Sequence, residues 1–313
     1  TEDIKTLSNA PQGTKYKRLN EKEKKILQNG YPVWKKNRLY YSSTVTYRHI
    51  VPHYPAKIEE IRRHKIPANI FQCFNHRVLQ DDYYRSISST IRLNPTYEYY
   101  FYDTYECRRL IARELDIVKR DTVEDGFGRR VLRAYDKLIP GAYRSDLWRL
   151  CVLYVYGGVY MDLKLHPTHG FNDIIDEESS FVMAVEEPQS TNFRPSMLTS
   201  FIASVPQHPF LLACIEAILD RVEKNELGIN EWDVTGPLLY ASVMTKLYGQ
   251  WPPREHDIQV GRAQWYPDLL IYYDNKAKIK LRIPETSNED RFSTMTPEPY
   301  YRTLWKEKAI YHK

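Results

Sequence analysis

Tyr143-Arg144-Ser145-Asp146-Leu147-Trp148-Arg149-Leu150-Cys151-Val152-Leu153-Tyr154-Val155-Tyr156-Gly157-Gly158-Val159-Tyr160-Met161-Asp162-Leu163-Lys164 decides the fold of this chain. It reads as an amphipathic helix, a Gly-Gly break and a short strand that ends in charge. Asp146 and Arg149 are three residues apart and share one helix face. Gly157 and Gly158 supply the positive φ that stops a helix. The strand, read as Val159 to Leu165, carries Tyr160, Asp162 and Lys164 on one face because strand side chains alternate. In an open α/β sheet ligands bind outside the carboxyl ends of strands. A carboxylate there, beside a helix presenting Asp and Arg, suits a charged, hydroxyl-rich ligand.

The flanking sequence supports an α/β layout. Ile66 to Phe74 (IPANIFQCF) reads as a buried first strand, Asp81 to Leu93 as a helix, and Tyr97 to Tyr102 as a second strand followed by Asp103. Helices follow from Thr104 to Leu115 and from Arg129 to Leu138, with a polar Gly-containing loop at 121–128 between them. Phe181 to Glu186 is an apolar run of strand length, and Phe210 to Lys224 is helical. Strands alternating with helices imply a mostly parallel, doubly wound sheet. Residues 1–60 read as a separate N-terminal extension, with a short helix capped by Asn20 and a strand within Arg38 to Tyr47. Residues 61–313 form the core domain in this reading.

Composition narrows the class. The 313 residues are 42% hydrophobic and 27% charged, values of a soluble globular chain. No apolar run reaches the roughly 20 residues that span a bilayer. The net charge of +5 is not organised into a basic helix or a nucleic-acid motif, so nucleic acid is not expected as a partner. The cysteines at 73, 107, 151 and 214 lack zinc-ligand spacing and sit in apolar stretches, which favours free thiols. There is no phosphate-binding Gly loop, no hydrolase nucleophile elbow and no His-Glu-x-x-His. The chain as given has no apolar leader and no glycosylation sequon, so a cytoplasmic location is the expectation. A removed leader or anchor is compatible with the same residues.

The central segment resembles the donor-sugar region of DXD-type retaining glycosyltransferases, chiefly glycosyltransferase family 32 and more distantly the clostridial glucosylating toxins. Their pattern runs Ser-Asp-x-x-Arg, an apolar helix, Gly-Gly-x-Tyr-x-Asp-x-Asp, then Pro. Here it is Ser145-Asp146-x-x-Arg149, Gly157-Gly158-x-Tyr160-x-Asp162-x-Lys164, then Pro167. The opening strand, the Ser204-Val-Pro-Gln-His-Pro209 segment and the Thr235-Gly-Pro237 turn extend the resemblance over about residues 60–313. It implies a GT-A-like (Rossmann-like) fold. It implies an enzyme that moves a hexose or related sugar from a UDP- or GDP-sugar to a hydroxyl on a glycan, lipid or protein, with retention. A sugar- or nucleotide-binding relic of that fold is the alternative.

By the same resemblance, Asp146 and Arg149 grip the donor sugar, and Asp162 reaches a divalent cation (Mn²⁺ or Mg²⁺) or the ribose. Phe74 either stacks on the base or is a core Phe. Asp103 and Tyr160 belong to the donor side, Trp305 donates its indole N–H to the leaving phosphate, and Asp233 faces the acceptor. Lys164 departs from the pattern, because the family has a second Asp there. One Asp plus one Lys carries the same formal charge as two Asp plus a divalent cation. The cation is therefore expected but dispensable, with Lys164 contacting the donor phosphate or Asp162.

Overall fold

The computed structural model describes residues 31–35, 38–42, 47–50, 52–57, 64–119, 126–186, 195–265, 269–281 and 301–312. The helix expected at Asn20 and most of the 121–128 loop lie outside the described residues. Strands come first: β1 (Tyr31–Lys35), β2 (Arg38–Ser42), β3 (Tyr47–His49), β4 (His53–Tyr54), β5 (Asn69–Cys73) and β6 (Val78–Gln80). Then follow α1 (Asp81–Leu93), β7 (Glu98–Tyr102), α2 (Thr104–Lys119), α3 (Phe127–Lys137), α4 (Gly141–Tyr156), β8 (Gly158–Met161) and β9 (Leu165–Pro167). The remainder comprises β10 (Phe181–Glu186), β11 (Phe201–Ser204), α5 (Pro209–Glu223), α6 (Pro237–Tyr248), β12 (Ile258–Gln264), β13 (Leu270–Tyr273), β14 (Lys276–Leu281) and α7 (Tyr301–Lys306).

Ten strands form one sheet in the order β4-β7-β5-β8-β11-β10-β12-β13-β14-β9. The α/β class with flanking helices is as expected, but the sheet is mixed rather than mostly parallel. β5 is parallel to β7 and β8, and β10 is parallel to β12, while the other neighbours are antiparallel. β12 to β14 form an antiparallel meander whose second turn places Asp274 and Asn275 at positive φ. Two consecutive left-handed residues make the twist-matched hairpin turn. The extension is also not separate from the core at residue 60. β4 pairs with β7 in the main sheet and β3 pairs with β6.

Because β11 is antiparallel to both β8 and β10, those two strands run the same way. The carboxyl ends of β5, β7, β8, β10 and β12 therefore share one edge. Each sheet face carries its own apolar core. On one face α4 is buried nearly all round, with Leu147, Trp148, Leu150, Val152 and Leu153 packing among α2, α3, α5 and α6. The other core is closed by α1 and a 3₁₀ turn at Phe171–Asp173, around Ile70, Tyr99, Val159, Phe171 and Phe201.

The Gly-Gly break fixes how α4 enters β8. Gly157 has φ +61°, and a Cβ on it would lie 2.6 Å from Pro206 Cδ. Gly158 has φ +119°, and its Cβ would lie 2.6 Å from the Asn69 carbonyl oxygen of β5. Both the backbone conformation and the space exclude a side chain. The strand expected over Val159 to Leu165 is interrupted. β8 ends at Met161, residues 162–164 turn, and β9 joins the far edge of the sheet against β14. The turn is held by the Leu165 N–H donating to the Asp162 carbonyl (3.0 Å) and the Asp162 N–H donating to the Ser200 carbonyl (2.8 Å). Asp162 and Lys164 thus sit on a tight turn at the carboxyl edge. Gly158→Ala should lower stability by about 2–4 kcal/mol, since a strained φ and a clash with a backbone carbonyl act together. Thermal or urea unfolding checks this against a surface Ala substitution, which is expected to move the midpoint little.

Candidate active site

α4 brings Asp146 and Arg149 to the β8 edge, and they form an ion pair of 3.0 Å (Arg149 Nη2 to Asp146 Oδ1). Arg149 is 4% exposed and Asp146 8%, so this is no solvated surface pair. The guanidinium lies 4.5 Å over the Tyr160 ring, and its Nη2 is 3.7 Å from Asp162 Oδ1. Nη1 donates to the Thr199 carbonyl, and Nε donates to the Ser145 carbonyl at 3.3 Å. A rigid fork with several donors is what one buried cation needs to serve so many oxygens. Burial works against the charge, but Tyr160, Asp146 and Asp162 hold the proton on Arg149 above its ordinary range.

Asp146 has a second clamp. The Thr235 hydroxyl donates to its Oδ2 at 2.8 Å, and Tyr240 donates to its backbone carbonyl at 2.8 Å. A Cβ on Gly236 would come 3.3 Å from the same Oδ2. The Thr-Gly-Pro turn therefore lies against the carboxylate. Burial pushes the Asp146 carboxyl up to about 6, with Arg149 and Thr235 opposing that shift.

Asp162 is held from three sides. Tyr160 donates its hydroxyl to Oδ1 at 2.7 Å, Arg149 faces the same oxygen, and Lys164 Nζ lies 3.4 Å from Oδ2. Burial raises its carboxyl, but Lys164, Arg149 and Tyr160 outweigh that and hold it below the ordinary range. Tyr160 is 2% exposed and also meets Ser145 Oγ at 3.1 Å. Its hydroxyl therefore ties Asp162 to α4. Lys164 keeps a third of its side chain exposed, so its ammonium reaches both Asp162 and solvent.

These contacts bear on the expected divalent cation. An oxygen-bound cation wants about six oxygens near 2.1–2.5 Å. Asp162 supplies both its oxygens to Tyr160, Arg149 and Lys164, and the neighbouring position is filled by an ammonium. Among the described residues no group of three His, Cys, Asp or Glu side chains is placed to hold a metal. This donor set does not fit a protein-held cation.

The other expected residues fall in different places. Phe74 stands just past β5 at the carboxyl edge, half-buried, with its ring 5.2 Å from His76 and 5.7 Å from Tyr83. Asp103 caps α2: its Oδ1 accepts the Glu106 N–H (3.0 Å), Glu106 accepts the Asp103 N–H (3.2 Å), and Arg77 lies 3.5 Å away. This reciprocal capping box engages the carboxylate in helix initiation. Asp233, expected to face an acceptor, is gripped by Arg221 through two nitrogens at 3.0 and 3.1 Å and accepts the Ile229 N–H at 3.0 Å. Trp305 donates its indole N–H to the Leu227 carbonyl at 2.7 Å, so that N–H is already engaged.

Two participants were not singled out from sequence. Thr235 lies two residues beyond the acid chosen in the same turn. Glu186 ends β10 on the shared edge, held by Ser196 Oγ and by Trp265 Nε1 at 3.1 Å. Burial raises its carboxyl despite those bonds and the nearby Lys164. The signal was present, an apolar strand ending in an acid, as for Asp162.

Residues 80–181 match the family described as "Glycosyltransferase sugar-binding region containing DXD motif". The chain is 24% identical over 168 residues to "Inositol phosphoceramide mannosyltransferase 3" of Schizosaccharomyces pombe, covering 51% of this chain and 41% of that protein. Among solved structures it is similar to "PaToxG Glycosyltransferase", with TM-score 0.46 and 15% identity over 59% of this chain and 70% of that one. It is also similar to the catalytic domain of alpha-toxin from Clostridium novyi, with TM-score 0.32 and 12% identity over 61% and 65%.

A pH titration of the Asp146 carboxyl by ¹³C NMR should give a midpoint near 6, against about 4 for an unperturbed Asp. Thr235→Val removes a hydrogen bond to the ionised form, so the midpoint should move up by roughly half a unit to one unit. A midpoint near 4 in both proteins would contradict the buried clamp. Asp146, Arg149, Asp162 and Lys164 all lie within the stretch that matches that family, and Lys164 stands two residues after Asp162, where a DXD motif has its second acid.

Proposed function

We propose that the protein transfers a hexose or related sugar from a UDP- or GDP-sugar to a hydroxyl acceptor on a glycan, lipid or protein, with retention at the anomeric carbon. The observation that carries this reading is the buried Asp146–Arg149–Asp162–Lys164 cluster at the carboxyl edge of the sheet, inside the sugar-binding region. Carboxylates accept from sugar hydroxyls and cations donate to phosphate, so the cluster offers both.

In the reaction the bond from C1 of the sugar to the diphosphate oxygen breaks, and the acceptor hydroxyl oxygen bonds to C1 as its proton passes to the departing diphosphate. The C1–O electron pair leaves with the diphosphate and adds one negative charge to the roughly two it already carries, and stabilising such charge is commonly the largest catalytic contribution. Lys164 is the cation placed for it. Its ammonium is 3.4 Å from Asp162, close enough to be aimed and far enough to turn to a phosphate. Asp146 takes the sugar hydroxyls, and Arg149 fixes both acids. No nucleophile is assigned. In this reading turnover does not require a divalent cation, because Lys164 supplies the charge that a second motif Asp would otherwise need a metal to provide.

Donor hydrolysis across a panel of UDP- and GDP-sugars, each with Mn²⁺ and with EDTA, tests the reading. One donor should be turned over, with activity persisting in EDTA. Lys164→Ala should lower turnover in EDTA about 100-fold, roughly 2.7 kcal/mol of transition-state stabilisation. Turnover that stops in EDTA with Lys164 present would rule out the ammonium as the metal's substitute. A protein that binds nucleotide but never turns a donor over would be a binding relic.

A further inference from the structure

Trp232 is 41% exposed and Ile229, three residues before it, 54%. Single exposed apolar residues are ordinary, but this indole is held rather than loose. Its backbone N–H donates to Asn230 Oδ1 (3.0 Å) and its Nε1 donates to the Tyr301 hydroxyl (3.3 Å). Arg302 lies 5.0 Å over the ring, and Arg302 is itself 3.3 Å from Glu231. Arg302 takes one face and Tyr301 the N–H edge, yet the residue keeps 41% of its surface exposed. Holding a large apolar ring rigid towards water gains nothing for the fold alone.

The loop that carries it is tied to the sugar site. Tyr143 of α4 donates to the Glu231 carbonyl (2.9 Å), Arg221 clamps Asp233, and Thr235 bonds Asp146. The Trp232 carbonyl oxygen and Asp146 Oδ2 both lie 3.3 Å from the point where a Cβ on Gly236 would sit. The backbone that bears the indole is therefore a few ångströms from the carboxylate assigned to the sugar. The residues placed with the nucleotide, Phe74 and Lys164, belong to other elements at the ends of β5 and β8.

From this we infer that Trp232 is an acceptor-side platform, on which the apolar face of a pyranose ring of a glycoside acceptor stacks beside Asp146. An aromatic ring with a polar rim suits a sugar, which is apolar on its C–H face and polar around its edge. Arg302 and Glu231 supply that rim. The exposed ring is small for a protein interface, which buries on the order of 800 Å² per partner. The inference rests on the sugar-transfer reading for the word acceptor.

Saturation-transfer NMR and intrinsic-fluorescence titrations with methyl α-D-mannopyranoside and methyl α-D-glucopyranoside, on the full chain, test it. The wild-type protein should bind at least one of the two saturably. Trp232→Ala should weaken that binding at least tenfold, and Trp232→Phe should largely keep it, with all three proteins melting at the same temperature. Equal binding by wild type and Trp232→Ala, or no binding of either glycoside by the wild type, would overturn the platform. Donor hydrolysis by the wild type separates the two readings. Glycoside binding that depends on Trp232 without any donor hydrolysis would sink sugar transfer and leave the platform. Donor hydrolysis without such binding would do the reverse.

Discussion

The site depends on one buried cation. Arg149 is almost wholly out of water, and an isolated ion there would be expensive to keep. It is tolerated because Asp146, Asp162, two backbone carbonyls and the Tyr160 ring surround it. Those partners come from three parts of the chain. Ser145 and Asp146 come from α4, Tyr160 and Asp162 from β8 and its turn, and Thr199 from the approach to β11. The guanidinium therefore joins the helix, the central strand and the antiparallel neighbour into one piece. A buried ion pair is weak evidence for stability, but removing one partner from it is costly. The arrangement is better understood as geometric specification of the acids than as a source of folding energy.

The fold serves the same end. Parallel β7, β5 and β8 deliver their carboxyl ends to one edge, and β10 ends there too because the β11 between it and β8 is antiparallel to both. The Gly157-Gly158 break lets α4 dive into β8 with no Cβ in the way of Pro206 or Asn69. The turn after Met161 then ends the strand where the charge begins. Lys164 balances Asp162, so the four-residue cluster carries no net formal charge before any ligand arrives. A diphosphate entering such a site meets an ammonium already aimed, with its partner acid held below the ordinary carboxylate range.

Much of this was legible in the sequence where local signals and tertiary packing agree. Asp81–Leu93 and Phe181–Glu186 have the bounds their patterns indicate, because an amphipathic period and an apolar run each end at a change of chemistry. The Asp146–Arg149 pair follows from helical spacing. The strand through Leu165 was misread because Tyr160, Asp162 and Lys164 alternate as a strand would. What breaks it is a hydrogen bond to Ser200, 38 residues downstream and invisible to local periodicity. The antiparallel meander could have been found from Asp274-Asn275 between β-prone residues. Asp233 and Trp305 show the other limit. Motif position put both near the ligand, but Arg221 and the Leu227 carbonyl, set by tertiary folding, occupy their polar atoms.

The most direct test of this account is Arg149→Lys. Lysine keeps the charge but loses the planar fork that serves Asp146, Asp162 and the two carbonyls together. Donor hydrolysis by the purified variant should fall at least 100-fold, on the order of 3 kcal/mol, with nucleotide binding affected far less because Lys164 is untouched. Near-normal hydrolysis by Arg149→Lys would show that a point charge suffices, and that the guanidinium does not organise the site.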